Sequence, residues 1–307
     1  TILTTIPAQE GLGTATLLYN KGQYNYLQDI TLHNNYPYGS TTGRAASLKD
    51  EGNYTICKNV WLYSHQDTYY SHSTGAYFYF NGGKISGCVD YMCGQSRVYY
   101  DGVTLANDNR GTTMTANSEL YVFNNCVIEN GGQTYNFGRA WSGSPVCVFL
   151  NTTLMDGGSN LASTRWTLQG LNTDYSVAGE YGTKNASGTD ITPASNNVTF
   201  TKNNTSMNTI LTAEQAATYT MAYTLGSWAA TAASDVEQAT VTDVTLSNNT
   251  LSWTGTSDAY LIERDGEFVA LTTGASYDVS SAGLGTFTVR AANTRGGFGE
   301  AVEAETG

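Results

Sequence analysis

The stretch YFYFNGGKI at residues 77–85 is followed by RVYYDGVTL at residues 97–105, in the same phase of the same pattern. Each has an apolar run, a polar residue, a turn and a second short strand-like segment. The pattern recurs along the first half of the chain. Taking the polar residue as a marker, the copies fall at Gln28, Lys58, Asn81, Asp101, Asn124 and Asn151, separated by 30, 23, 20, 23 and 27 residues. Two residues before the marker stand Tyr26, Ile56, Tyr79, Tyr99, Val122 and Phe149. Four residues after it stand Leu32, Leu62, Ile85, Leu105, Ile128 and Met155. A fixed ladder with variable insertions reads as a parallel β-helix, a solenoid whose strands keep register while its turns vary. No coil can bury its own apolar face, so both columns are expected to point into a shared core. Tyr79, Tyr99 and Tyr100 are read as packing residues.

Two aspartates share one phase of this ladder. Asp67 lies nine residues after Lys58, and Asp90 nine residues after Asn81. On a solenoid they project from neighbouring coils, separated by about one strand spacing of 4.8 Å. Carboxylates that close can divide the roles of acid and nucleophile.

Composition bounds the rest. The chain has 307 residues, with Gly 33, Tyr 22, Pro 4 and only 13% charged side chains, a β-rich, extracellular-type balance. Its net charge of −12 argues against nucleic acid, which needs clustered Lys and Arg, and disfavours an anionic membrane surface. It is compatible with a neutral or esterified polymer. No stretch is apolar enough to span a membrane. No signal peptide is visible at Thr1. The five cysteines, Cys57, Cys88, Cys93, Cys126 and Cys147, read as buried filler within the repeats, with a Cys88–Cys93 disulfide left open. His33, His65 and His72 complete no zinc-ligand pattern, so no metal is expected.

The ladder fades between residues 160 and 232. Leu211–Ala217 carries a helix signal, with Thr212 as N-cap and Gln215 three residues on, a capping box. The small, acidic stretch Ala229–Gln238 reads as a linker. Alternating strands follow at 241–246, 250–254, 259–264, 268–272 and 286–292, with hairpin turns at Asn248-Asn249 and Asp265-Gly266. The expected architecture is all-β: a right-handed parallel β-helix over residues 1–232 and a small β-sandwich over 233–307.

Three segments then acquire a family. Ser64-His65-Gln66-Asp67-Thr68-Tyr69-Tyr70, Gly87-Cys88-Val89-Asp90-Tyr91-Met92-Cys93-Gly94 and Phe137-Gly138-Arg139-Ala140-Trp141 resemble, in order and separation, signatures of the pectin methylesterases. Weaker matches run through Gly179-Glu180-Tyr181 and the Thr212–Thr218 helix to Ser227-Trp228, so the resemblance covers roughly residues 1 to 230. The family is a right-handed parallel β-helix, in agreement with the ladder. Two departures stand out. Residues 1 to 20 look like the family's fold after its first coils have passed. Arg44, in the segment Gly43 to Leu48, stands by register where the family usually has a glutamine. The tail resembles, more weakly, a fibronectin type III-like module with Trp253 and Tyr260 as core aromatics.

The resemblance implies hydrolysis of the C6 methyl ester of galacturonate in pectin, releasing methanol, with no metal or organic cofactor, by a monomer that is secreted, periplasmic or at the cell surface. It implies that Asp90 is the nucleophile, Asp67 the acid and base, Gln66 an oxyanion donor and Arg139 the partner holding Asp90 ionised. Arg44 is left with two roles: donating to the oxyanion, or to a neighbouring carboxylate of the polymer. Trp141 is expected to stack on sugar. Trp166 is read as either sugar-stacking or core, and Tyr69, Tyr91 and Gln95 as cleft-lining. Two rival readings remain: a catalytically impaired pectin-binding β-helix, and a pectate or pectin lyase, which would need a cage of carboxylates for calcium.

Overall fold

The computed structural model describes residues 1–5, 16–37, 44–108, 110 and 112–306. Residues 6–15, within the stretch expected to follow the first coils, and Gly43, beside Arg44, lie outside the described residues. The chain divides into two compact units, Thr1–Ala229 and Ala230–Gly307.

The first unit is a parallel β-helix. The chain visits three parallel sheets in turn, of eight, six and seven strands, and each strand pairs with its equivalent one coil later. The six-stranded sheet, called here the site sheet, is built from Thr16–Asn20, Ala46–Asp50, Tyr69–Ser71, Met92–Gly94, Thr112–Asn117 and Tyr135–Ala140. Its register runs Leu48, Tyr69, Met92, Thr115, Gly138 along one column and Lys49, Tyr70, Cys93, Ala116, Arg139 along the next. Successive strand residues face opposite ways. Leu48, Tyr69 and Met92 lie in the buried core, so the second column faces out.

The Leu32, Leu62, Ile85, Leu105 and Ile128 column is fully buried, as the ladder predicts. Its sixth member is corrected: Ile128 pairs with Leu154, and Met155 is 50% exposed. The marker column slips at the same coil, because Asn124 pairs with Leu150 rather than Asn151. The turn explains the slip. The residue after each marker takes a left-handed backbone, with φ of 52° at Asp29, 48° at Asn59, 63° at Gly82, 65° at Gly102 and 53° at Asn125. Only Gly, Asn and Asp adopt that region readily. In the sixth coil Asn151 (φ 53°) fills that turn position, so the marker is Leu150.

The other expected column is also corrected. Tyr79 sits between Phe78 and Phe80, which belong to the solenoid core, so it points the other way. Ile56, Tyr79, Tyr99 and Val122 are buried on the outer face of the seven-stranded sheet. Helix α2 (Met221–Leu225) packs over that sheet on the strands of Tyr79, Tyr99 and Val122. Inside, Phe80, Tyr100, Phe123 and Phe149 form a stack with centroid separations of 5.2, 4.3 and 4.3 Å. The preceding helix α1 (Ala213–Thr218) carries the expected capping box between Thr212 and Gln215. All five cysteines are free and buried, which removes the Cys88–Cys93 disulfide. Among the described residues no helix is long and apolar enough to cross a membrane.

The second unit has two four-stranded sheets sharing one core, a β-sandwich in which Leu251 and Trp253 meet Tyr260, Ile262 and Val289. Asn248 and Asn249 (φ 48° and 64°) and Asp265-Gly266 (φ 52° and 81°) form the expected hairpin turns. Strands Ser276–Asp278, Val302–Glu303 and Glu305–Thr306 are too short to leave a periodic signal. The expected linker is instead largely helix α3 (Ala229–Asp235), whose four alanines are the strongest helix formers.

Candidate active site

The two aspartates stand at the entrance to adjacent strands of the site sheet. Asp67 precedes Tyr69 by two residues and Asp90 precedes Met92 by two, and Tyr69 pairs with Met92. The phase shared in the ladder therefore survives in space. Both aspartates adopt left-handed backbones, φ 59° and 48°, a conformation that a short carboxylate side chain tolerates. The Asp67 N–H donates to Val89 O at 3.2 Å, and the Asp90 N–H to Thr113 O at 2.7 Å. These bonds tie each turn to the next coil.

The carboxyls open into a cavity of about 230 Å³ lined by Arg44, Gln66, Asp67, Tyr70, Asp90, Cys93, Ala116, Arg139, Trp141 and Leu171. Six of the ten residues expected at the site, Asp67, Asp90, Gln66, Arg139, Trp141 and Arg44, are thus brought together. Arg139 grips Asp90 with two prongs: Nε donates to Oδ1 at 3.0 Å and Nη2 to Oδ2 at 2.5 Å. Arg44 makes a single, longer contact, Nε to Asp67 Oδ2 at 3.4 Å. Trp141 rests against Tyr70, with ring centroids 6.0 Å apart, over a small apolar patch of Ala46, Cys93 and Ala116.

Burial and charge make the pair unequal. Removal from water pushes the Asp67 carboxyl up to about 7, and the nearby Asp90 charge adds to this. Arg44, a hydrogen bond from the Cys93 thiol and Arg139 pull it back only partly. Burial leaves Asp90 raised as well, and there the Arg139 fork opposes burial through two hydrogen bonds and a full positive charge without cancelling it. The Cys93 thiol is held protonated, first by burial and then by the carboxyls around it.

Four expected site residues lie elsewhere. Trp166 is wholly buried, edge-on to Phe137, Phe149 and Tyr175 at 5.5, 6.0 and 5.2 Å, so it is a core residue. Tyr69 and Tyr91 are also wholly buried in the solenoid core and present nothing to the cavity. Gln95 is half-buried and does not line it. The aromatic wall comes instead from Tyr70, one residue beyond Tyr69 and on the opposite face of the strand. Register gives the signal for it: Arg139 lies in one column with Ala116, Cys93 and Tyr70.

The solenoid thus brings an arginine-bound aspartate and a second, protonatable one into a single cleft. The pectinesterase family profile matches residues 3–227, and the chain belongs to that family. A pectinesterase of Aspergillus aculeatus is 31% identical over 133 residues, which is 38% of this chain and 40% of that relative. The match therefore spans about two-fifths of the curated relative. Among solved structures, the pectin methylesterase from carrot overlays with a TM-score of 0.61 at 17% identity, covering 76% of each chain. A pectin methylesterase in complex with a hexasaccharide overlays at 0.55 and 18% identity, covering 74% of this chain and 79% of the other. At such identities the overlays establish the parallel β-helix.

Proposed function

We propose that this protein hydrolyses galacturonate C6 methyl esters in pectin, releasing methanol and leaving free carboxylates. The unequal aspartate pair carries the reading: one carboxyl gripped by Arg139, the other able to hold a proton near neutrality. Asp90 attacks the ester carbonyl carbon as a carboxylate. The carbonyl oxygen becomes an oxyanion, which the Gln66 amide stabilises by about 3 kcal/mol, the scale found for a single donor. Collapse breaks the bond to the methoxy oxygen, and the Asp67 proton leaves with it as methanol. An acyl link between Asp90 and the sugar remains. Asp67, now a carboxylate, takes a proton from water, which attacks the acyl carbon and frees Asp90. The product acid then ionises. Asp67 gives one proton to the departing methanol and takes one from the attacking water, so it ends the cycle as it began.

Trp141 and Tyr70 offer an aromatic wall against which a pyranose face can stack. A structural neighbour, a pectin methylesterase, is in complex with a hexasaccharide, which supports an oligosaccharide as the class of ligand. We place the protein outside the cytoplasm, as a monomer acting on plant cell-wall polymer. The sandwich unit we read as fibronectin type III-like. The test is methanol release from methylated pectin. The wild type should release it, and Asp90→Asn, with an unchanged circular dichroism spectrum, should lose at least about a thousandfold in rate. No methanol from any pectin would sink the reading.

A further inference from the structure

Arg44 and Arg139 flank the same two carboxyls but are held differently. Arg139 is bound to Asp90 through two short hydrogen bonds, with its side chain 26% exposed. Arg44 reaches Asp67 through Nε alone at 3.4 Å, outside the best hydrogen-bonding range, with its side chain 54% exposed. A guanidinium carries five donors in a planar fork suited to a carboxylate. One long contact uses little of that capacity. The cation lines the cavity and is loosely held, on the side of the carboxyl that must deliver a proton.

A polymer that this site has begun to de-esterify presents free carboxylates beside remaining esters. Resting on the esterase reading above, we propose that Arg44 is a substrate-operated switch. It rests on Asp67 and transfers to a free carboxylate on a galacturonate neighbouring the ester, so that partly de-esterified chains are the preferred substrate. A carboxylate free to align with the fork outcompetes the single 3.4 Å contact. A neutral methyl ester at the same place cannot.

The exchange has a consequence for the reaction. The charged and titratable groups facing Asp67 are Asp90, Arg139, the Cys93 thiol, Arg44 and the Tyr70 hydroxyl. Once Arg44 has moved to substrate, Asp67 loses a cation and keeps the Asp90 charge beside it. The loss of the cation, with the Asp90 charge unchanged, favours the protonated acid that the first step requires. Arg44 thus acts by binding substrate and, through Asp67, as a positioning residue.

The test compares initial methanol release from two galacturonan oligomer sets, one fully methyl-esterified and one about half esterified at random. The wild type should show a kcat/KM about fivefold higher per ester on the half-esterified set, the scale of one partly exposed ion pair. Arg44→Gln should bring the ratio to about one. Arg44→Lys, which keeps the charge and loses the fork, should fall between. On the fully esterified set, where Arg44 stays on Asp67, Arg44→Gln should also move the alkaline limb of the pH profile upward. A wild type with no preference, or an Arg44→Gln variant that keeps it, would overturn the switch while leaving the esterase reading intact. Methanol from neither set would overturn both.

Discussion

Asp67 keeps its proton to about pH 7 because it is buried beside a second carboxyl. This has a kinetic sign and a thermodynamic one. The first step of the proposed esterase cycle needs the acid form, so on that reading kcat/KM should fall as pH rises through about 7, and the limb belongs to the free protein. For stability, an unfolded aspartate titrates near 3.9, so between about pH 4 and 7 the folded state binds the extra proton. Stability from this group is therefore full below about pH 4 and is lost as pH rises through 7. Asp50, wholly buried and pushed up to about 6 by burial, tilts stability the same way. In thermal melts at pH 4, 6 and 8, Asp67→Asn should match wild type at pH 4 and melt several degrees higher at pH 8. A variant no more stable than wild type at pH 8 would show that the proton is not held. The same carboxyl that makes the acid costs the fold stability at neutral pH, as strained functional groups commonly do. Gln66→Ala should lower kcat on methylated pectin by about a hundredfold with little change in KM, since its amide acts on charge that exists only during reaction.

At the scale of elements, the site is a matter of parity along strands. Gly94 closes the strand carrying Met92 and Cys93, with φ 139°, and a Cβ there would lie 1.9 Å from Ser71 O. Ser71 ends the neighbouring strand, directly after Tyr70. Gly94→Ala should therefore cost about 2 kcal/mol or more in chemical denaturation. It should also lower activity, because the clash separates the two coils whose strands position Asp67 and Asp90. Full activity in this variant would mean the register tolerates the shift. Parity also separates what was legible in the sequence from what was not. Asp67 and Asp90 were legible because a solenoid keeps one phase per coil, and a phase can be counted. Tyr69 and Tyr91 were expected at the cleft and Trp166 was left between cleft and core, because an aromatic residue serves both equally and only the facing direction distinguishes them. Counting from Arg139 down its column would have reached Tyr70. The slip at Asn151 came from treating a polar marker as fixed, when the fixed feature is the left-handed turn residue that follows it. The outward Tyr79 column came from choosing the wrong face of an alternating strand, both of whose faces are apolar. The grip of Arg139 on Asp90 was implied by the motifs, whereas the contact of Arg44 with Asp67 depends on side-chain placement that no spacing encodes.

At the scale of the whole molecule, the charge is unevenly divided. Ala230–Gly307 carries eleven acidic and three basic side chains, so −8 of the −12 belongs to the sandwich unit. A partly de-esterified pectin is itself a polyanion, and a tethered unit of that charge repels it over long distances. The arginines of the cleft attract it over short ones. Salt separates the two effects. Raising ionic strength from 0.01 to 0.15 M shortens the screening length from about 30 to about 8 Å. That removes most of the diffuse repulsion and spares contacts made within 4 Å inside a partly buried cleft. On half-esterified pectin, kcat/KM should therefore rise severalfold over this range, mainly through KM, because the encounter improves while the chemistry is unchanged. On fully methylated pectin, which is nearly neutral, the rate should change little. A rate on half-esterified pectin that falls monotonically with salt would mean that short-range attraction by the cleft arginines, and not the charge of the chain, governs capture of the polymer.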